Sequence, residues 1–333
     1  MQLYRAGLAL LFILSSISCG AQRYRNLVLE GGGVRGIAYA GAVQELEAHH
    51  ITDSLRNIAG TSVGAIAGAA LSVGYTAREL TEKLYSLKIE TFNDGRWIFF
   101  GGFARMLHRY GWYRGEALED WVGDLVAAKT GSRHTTFLQL HRLAEKDHRY
   151  KDLYVAATNL SRQRAEVFSW QSHPDMELKT AVRASMSVPL YFSAVELDSA
   201  GHHPTRRSGS NCAAYVDGGL VMNYPMALFD SSGPNPATLG LKLERREQIE
   251  YFAASDGIAP YRIRSFRAYV GSLYNLTIET LNRKAPIADE APRTIYISTE
   301  DVGPKVRRMS RAQKALLMRS GQRGATAFFK THL

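Results

Sequence analysis

The first hydrophobic pattern past residue 21 is a short apolar run, residues 24–30, that reads as a strand and ends in Gly31-Gly32-Gly33-Val34-Arg35-Gly36. Small and apolar residues from Ile37 to Leu46 then recur at helical spacing, and His49 and His50 close that helix before a turn at Thr52 and Asp53. Ile58 and Ala59 form a second short strand that runs straight into Gly60-Thr61-Ser62-Val63-Gly64, and a small-residue helix continues to Val73. Strand, helix, strand, helix is the opening of a βαβ unit and predicts a parallel sheet. Further strands are expected at residues 153–157, 165–170, 191–196, 214–217, 238–243 and 294–298. Residues 78–146 read as mostly helical and aromatic, with Phe99-Phe100-Gly101-Gly102 suited to a mobile lid. Residues 200–211 read as an exposed loop. Ser310 and Gln313 match a capping box at the start of a last helix running toward Phe329. With no internal repeat, low-complexity tract or linker, residues 22–333 are expected to form one domain.

The first 21 residues differ from the rest. A lone Arg5, an apolar run from Leu8 to Leu14 and a small-residue stretch ending at Cys19, Gly20 and Ala21 read as a signal peptide whose apolar run is too short to span a bilayer. The mature protein is therefore expected to leave the cytoplasm, for a bacterial cell envelope or the medium. Ser18-Cys19-Gly20 resembles a lipoprotein site that would be lipidated at Cys19, although Ser16 stands where leucine is usual. A cut after Ala21 would instead leave Gln22 first and no lipid.

Composition is that of a globular protein with a full core, 45% hydrophobic and 22% charged over 333 residues. The formal net charge of +10 favours an anionic partner such as a phospholipid surface or a nucleic acid. The basic residues are dispersed (Arg105 and Arg109, Arg162 and Arg164, Arg206 and Arg207, Lys305, Arg307 and Arg308) rather than gathered in a tail. Two cysteines, Cys19 and Cys212, exclude a disulfide framework, and the ten histidines show no ligand spacing, so no metal is expected.

Gly60-Thr61-Ser62-Val63-Gly64 has the form Gly-x-Ser-x-Gly at a strand-to-helix turn, which would hold the Ser62 hydroxyl exposed at a helix N-terminus where developing negative charge is favoured. The glycine loop 31–36 lies one βα unit upstream, at the same end of the same sheet, where an oxyanion hole belongs; Arg35 adds positive charge there. Gly31, Gly33 and Gly36 also match a dinucleotide fingerprint. That motif wants an acid at the end of the next strand, and Thr61-Ser62 stands there instead. A serine nucleophile needs a base. The only histidine after Asp217 is His332, one residue from the end of the sequence, whereas Asp217 ends an expected strand and is followed by Gly218 and Gly219. A carboxylate in direct contact with the serine is the alternative to a histidine triad.

In combination, the glycine loop with Arg35, the Gly-Thr-Ser-Val-Gly turn, Asp217-Gly218-Gly219, and Ser185-Met186-Ser187-Val188-Pro189 between them resemble the patatin-like phospholipases over residues 24–243. The resemblance implies a three-layer α/β/α fold with a mainly parallel central sheet and a Ser-Asp dyad of Ser62 and Asp217. It implies an oxyanion site from the loop Gly31, Gly32, Gly33, Val34, Arg35 and Gly36, with Gly60, Gly64, Gly218, Gly219 and Pro189 supporting. It further implies no metal or cofactor, and hydrolysis of acyl esters of phospholipids or other glycerolipids at a membrane surface, by a phospholipase A or lysophospholipase type of reaction; no nucleic-acid partner is expected. The competing expectation is a catalytically weak, lipid-binding envelope lipoprotein of the same fold. The residues carry no sign of oligomeric state.

Overall fold

The computed structural model describes residues 24–95, 100–204, 212–252, 255, 257–282, 287–303 and 308–332. The leader with Cys19, the apolar and aromatic residues Trp97, Ile98 and Phe99, residues 205–211 with Arg206 and Arg207, and Lys305 and Arg307 lie outside the described residues.

The strands are β1 (Asn26–Leu29), β2 (Asn57–Thr61), β3 (Gly111–Tyr113), β4 (Asp152–Asn159), β5 (Arg164–Phe168), β6 (Leu190–Phe192), β7 (Val195–Leu197), β8 (Ala213–Asp217), β9 (Thr238–Glu244) and β10 (Thr294–Ser298). The principal helices are α1 (Ala38–Ala48), α2 (Val63–Ser72), α3 (Ala77–Ser86), α4 (Phe100–Arg109), α5 (Glu116–Thr130), α6 (Phe137–Lys146), α7 (Leu178–Ser185), α8 (Phe266–Asn282) and α9 (Arg311–His332). The main sheet runs β10-β9-β1-β2-β4-β8-β7, with β5 also on β4. Its five strands from β10 to β4 are parallel, as the opening βαβ pattern requires.

Two features of this topology position the site. β1 pairs with β2 on one side and with β9 on the other, so the strand order reverses there, and the loops after β1 and β2 open into the crevice such a reversal creates. β8 lies antiparallel to β4 over that strand's last three residues only, pairing Asp217 with Ala157, while Ala156 pairs with Thr61 of β2. The C-terminal end of β8 is thereby delivered beside the C-terminal end of β2.

The β1 residues alternate between two clusters. Leu27 and Leu29 enter the main core with α1, α2 and α9, while Val28 joins Ala59 and Met226 in a smaller cluster lined by Tyr154, Tyr224 and Phe229. All ten residues of α2 are buried, which its sequence VGAIAGAALS allows because it carries no charge and no bulky polar group. The strand expected at 191–196 is two strands. Residues 190–192 leave the main sheet to pair with β3, and residues 195–197 return to pair with β8. The three-residue β3 carries too little pattern to be read from sequence. The last helix begins as expected, with Ser310 and Gln313 exchanging backbone-to-side-chain hydrogen bonds of 3.1 Å each. Among the described residues no helix is long and apolar enough to cross a membrane.

Candidate active site

Ser62 stands between β2 and α2 with φ 53° and ψ −122°. A non-glycine residue in that region carries strain of about 1–3 kcal/mol, sustained by its surroundings. The Ser62 N–H donates to Ser185 Oγ at 2.8 Å, and Ser185 Oγ in turn donates to the Ala156 carbonyl at 2.6 Å. The turn is tight enough that a Cβ at Gly60, Gly64 or Gly218 would stand 2.3 Å from the carbonyl oxygen of Gly64, Leu29 or Ala156 respectively. Any side chain there would push the elbow off the sheet, which is the physical content of the Gly-x-Ser-x-Gly pattern.

Ser62 Oγ donates to Asp217 Oδ2 at 2.7 Å. The other carboxylate oxygen accepts from the Gly219 N–H at 2.7 Å. The Asp217 backbone is pinned on both sides: its N–H donates to the Ser187 carbonyl and its carbonyl accepts from Thr158 Oγ1, each at 2.9 Å. Both members of the pair are buried. Burial pushes the Asp217 carboxyl up to about 6, against the hydrogen bonds from Ser62 and Gly219, which favour the ionised form. Among the described residues no histidine hydrogen bonds to either. His332 is stacked on Phe328 and bonded to its carbonyl at the far end of α9.

The glycine loop curls over the end of β1 as a short 3₁₀ turn, Gly33–Ile37, entered through Gly33 at φ 55°. Its members differ in role. The Gly31 N–H is taken by the Asn223 carbonyl at 3.0 Å, and a Cβ at Gly31 would stand 3.3 Å from Ser62 Cβ, so Gly31 forms the wall beside the nucleophile rather than a donor to a ligand. Arg35 folds back so that its Nε donates to the Gly32 carbonyl at 3.0 Å, and Gly36 packs directly on Val63. The Val34 side chain is buried in the core.

Beneath this loop lies a polar network that sequence patterns did not single out. Glu30, which follows β1, is buried; its carboxylate accepts from the Leu243 N–H at 2.6 Å and from Asn223 Nδ2 at 3.1 Å. Burial pushes the Glu30 carboxyl up to about 8; Lys242 pulls it down, and Glu244 and Glu279 push it further up. Asn223 Nδ2 also donates to the Gly31 carbonyl at 3.2 Å, and Asn282 at the end of α8 ties the Asn223 amide to the Gly219 carbonyl. Glu30, Asn223 and Asn282 are lone polar residues in sequence with no spacing to mark them. Ser185 and Ser187 sit in the segment that ends at Pro189, which is itself exposed.

Within the aromatic 78–146 region, Phe103 is 62% exposed on α4, while Trp112 and Tyr113 are half-buried. The Trp112 ring backs onto Gly102, and the Tyr113 ring lies 5.0 Å from that of Tyr191. The cavities around Arg162, Asp198 and Tyr215, and around Glu119, Glu177 and His203, do not border Ser62.

The model of the patatin-like phospholipase family matches residues 27–230, from β1 through Asp217 to the segment that carries Asn223. Protein R571 of Acanthamoeba polyphaga mimivirus is 28% identical over 302 residues, 89% of this chain and 91% of that protein. YqhO of Bacillus subtilis is 28% identical over 316 residues, 92% of this chain and 98% of that protein. In structure, VipD from Legionella pneumophila superposes with a TM-score of 0.66 at 16% identity, covering 93% of this chain and 67% of that one, a likeness of fold. A mostly parallel sheet with a strained serine elbow, matched by the family model over well more than half of the chain, makes this protein a member of the patatin-like phospholipase family.

Proposed function

We propose that the chain is a serine lipid acyl hydrolase of the phospholipase A or lysophospholipase type, in which Ser62 is the nucleophile and Asp217 its base. The observation that carries this reading is the 2.7 Å hydrogen bond from Ser62 Oγ to Asp217 Oδ2 at a strained elbow. In the first step Asp217 accepts the hydroxyl proton as Ser62 Oγ attacks the ester carbonyl carbon. The tetrahedral oxyanion forms next to the glycine loop, where we assign the amides of Gly32 and Gly33 as donors, aided by the N-terminal end of α2. Collapse returns the proton to the departing alkoxide oxygen and leaves an acyl-Ser62 ester. Asp217 then takes a proton from water as the water oxygen attacks that ester, and collapse of the second tetrahedral species breaks the bond to Ser62 Oγ, which recovers the proton from Asp217 as the fatty acid leaves.

A carboxylate is a weak base toward a hydroxyl, so its upward displacement to about 6 supports the assignment: it stays mostly ionised at neutral pH yet holds a proton better than an ordinary aspartate. Family membership supports a lipid ester as substrate. The export read from residues 1–21, with or without a lipid on Cys19, belongs to the same proposal and is checked by the mass of the mature N-terminus.

The test is fatty-acid release from mixed phospholipid vesicles by residues 22–333, beside Ser62→Ala and Asp217→Asn. Each substitution is expected to lower turnover by on the order of 10⁴-fold with folding intact. Activity surviving in the Ser62→Ala protein would refute the site.

A further inference from the structure

Helix α8 is amphipathic in the wrong sense for a helix that only has to pack on its own protein. Phe266, Tyr269, Leu273, Leu276 and Thr280 follow the spacing i, i+3, i+7, i+10, i+14 and fall within an arc of about 80°. All five are exposed, Phe266 at 81%, Leu276 at 54% and Tyr269 and Leu273 at 48% each. Two polar residues of the helix are turned to the protein instead. Asn282 bonds to Asn223 and Gly219. Glu279, the single acid of the helix, acts on the buried Glu30 carboxyl. The segment leading into α8 continues the surface, with Tyr261 at 41% and Ile263 at 55% exposed, interleaved with exposed Arg262 and Arg264. The helix packs on the Gly218–Leu220 turn that follows Asp217, so this apolar face is mounted next to the candidate dyad.

We propose that the outward face of α8, with the 261–264 segment, is the surface by which this protein docks on an anionic lipid bilayer. The inference rests on the lipid hydrolase reading for its purpose but not for its measurement. An apolar stripe flanked by arginines, on a molecule of formal net charge +10, suits an interface that takes rings and leucines into the acyl boundary and meets guanidinium groups with lipid phosphates. A second copy of the chain is a poor occupant, because it would bring the same arginines and the same positive charge to the contact.

Co-sedimentation of the full chain with vesicles of phosphatidylcholine and phosphatidylglycerol, in the Ser62→Ala background so that no lipid is consumed, measures docking directly. Replacing Phe266, Leu273 and Leu276 together by glutamine is expected to weaken vesicle binding by about tenfold or more. Arg262→Gln with Arg264→Gln is expected to remove the preference for anionic over pure phosphatidylcholine vesicles. With Ser62 intact, both variants are expected to keep wild-type turnover of a water-soluble short-chain ester, which shows that the fold and the dyad survive. Vesicle binding unchanged in the triple variant overturns the proposal. So does a wild-type dimer that the triple variant converts to monomer, which would make the face an interface between copies. A wild type that turns over no ester at all counts against the hydrolase reading instead, and sedimentation still decides the docking face.

Discussion

As the proposed base, the Asp217 carboxylate must be buried, ionised and basic at once. Since burial raises its pKa to about 6, the free enzyme is expected to lose kcat/KM as pH falls through that value, with a single-proton dependence, and to level off above about pH 7. A profile still flat down to pH 5 would rule Asp217 out as the base. The same displacement has a stability consequence of opposite sense. An acid with its folded pKa above the unfolded value of about 3.9 binds its proton more tightly when folded, so its ionisation opposes folding. That penalty is absent below about pH 4, grows as pH rises through 6, and is full above about pH 7, at about 1–3 kcal/mol. Asp217→Asn is therefore expected to unfold at a higher temperature than wild type at pH 8 and to lose that advantage by pH 4, as read by thermal denaturation. An inactive yet more stable variant is the signature of a group kept for chemistry. Serine and aspartate were both visible as candidates because glycines flank or follow them. Asn223 and Glu30 were not, and Ser185 stood out only as part of a family-like segment with no role attached, since a single polar residue acquires its role from whatever packs against it.

At the scale of elements, the strands with an apolar alternation or run were legible, and so was the Ser310 cap of α9. What sequence patterns left open was how the helices meet. α1 and α9 cross with their backbones in contact: a Cβ at Gly321 would lie 1.9 Å from the Ala38 carbonyl oxygen, and one at Gly41 the same distance from that of Met318. Gly321→Val is thus expected to destabilise the fold by about 3 kcal/mol in urea unfolding, despite valine's better helix propensity, because two rigid helices must separate. Ser310→Ala, which removes only a cap, sets the comparison at about 1 kcal/mol. Equal effects would mean that the crossing relaxes easily. The 191–196 strand was misjudged as one because nothing within its six residues, YFSAVE, marks a break, while its halves serve two different sheets.

At the scale of the whole molecule, the formal net charge of +10 acts over a screening distance that salt shortens from about 14 Å at 0.05 M to about 4 Å at 0.5 M. Docking through α8 is accordingly expected to weaken over that range, with the apolar contribution of its stripe persisting at the high end. The Ser62–Asp217 pair too is a whole-molecule property, since its partners are 155 residues apart and meet only because β8 enters antiparallel to the last three residues of β4. By itself the sequence determined the local geometry: the parallel opening, the serine elbow, the glycine loop and the Asp-Gly-Gly turn, each fixed by steric rules that operate within a few residues. Tertiary structure alone decided which polar groups brace that elbow, which glycine of the loop is a wall, and that the apolar side of α8 faces outward. Periodicity reports that a helix has two faces, but the choice of the one that turns inward follows from the packing and hydrogen bonding of the entire chain.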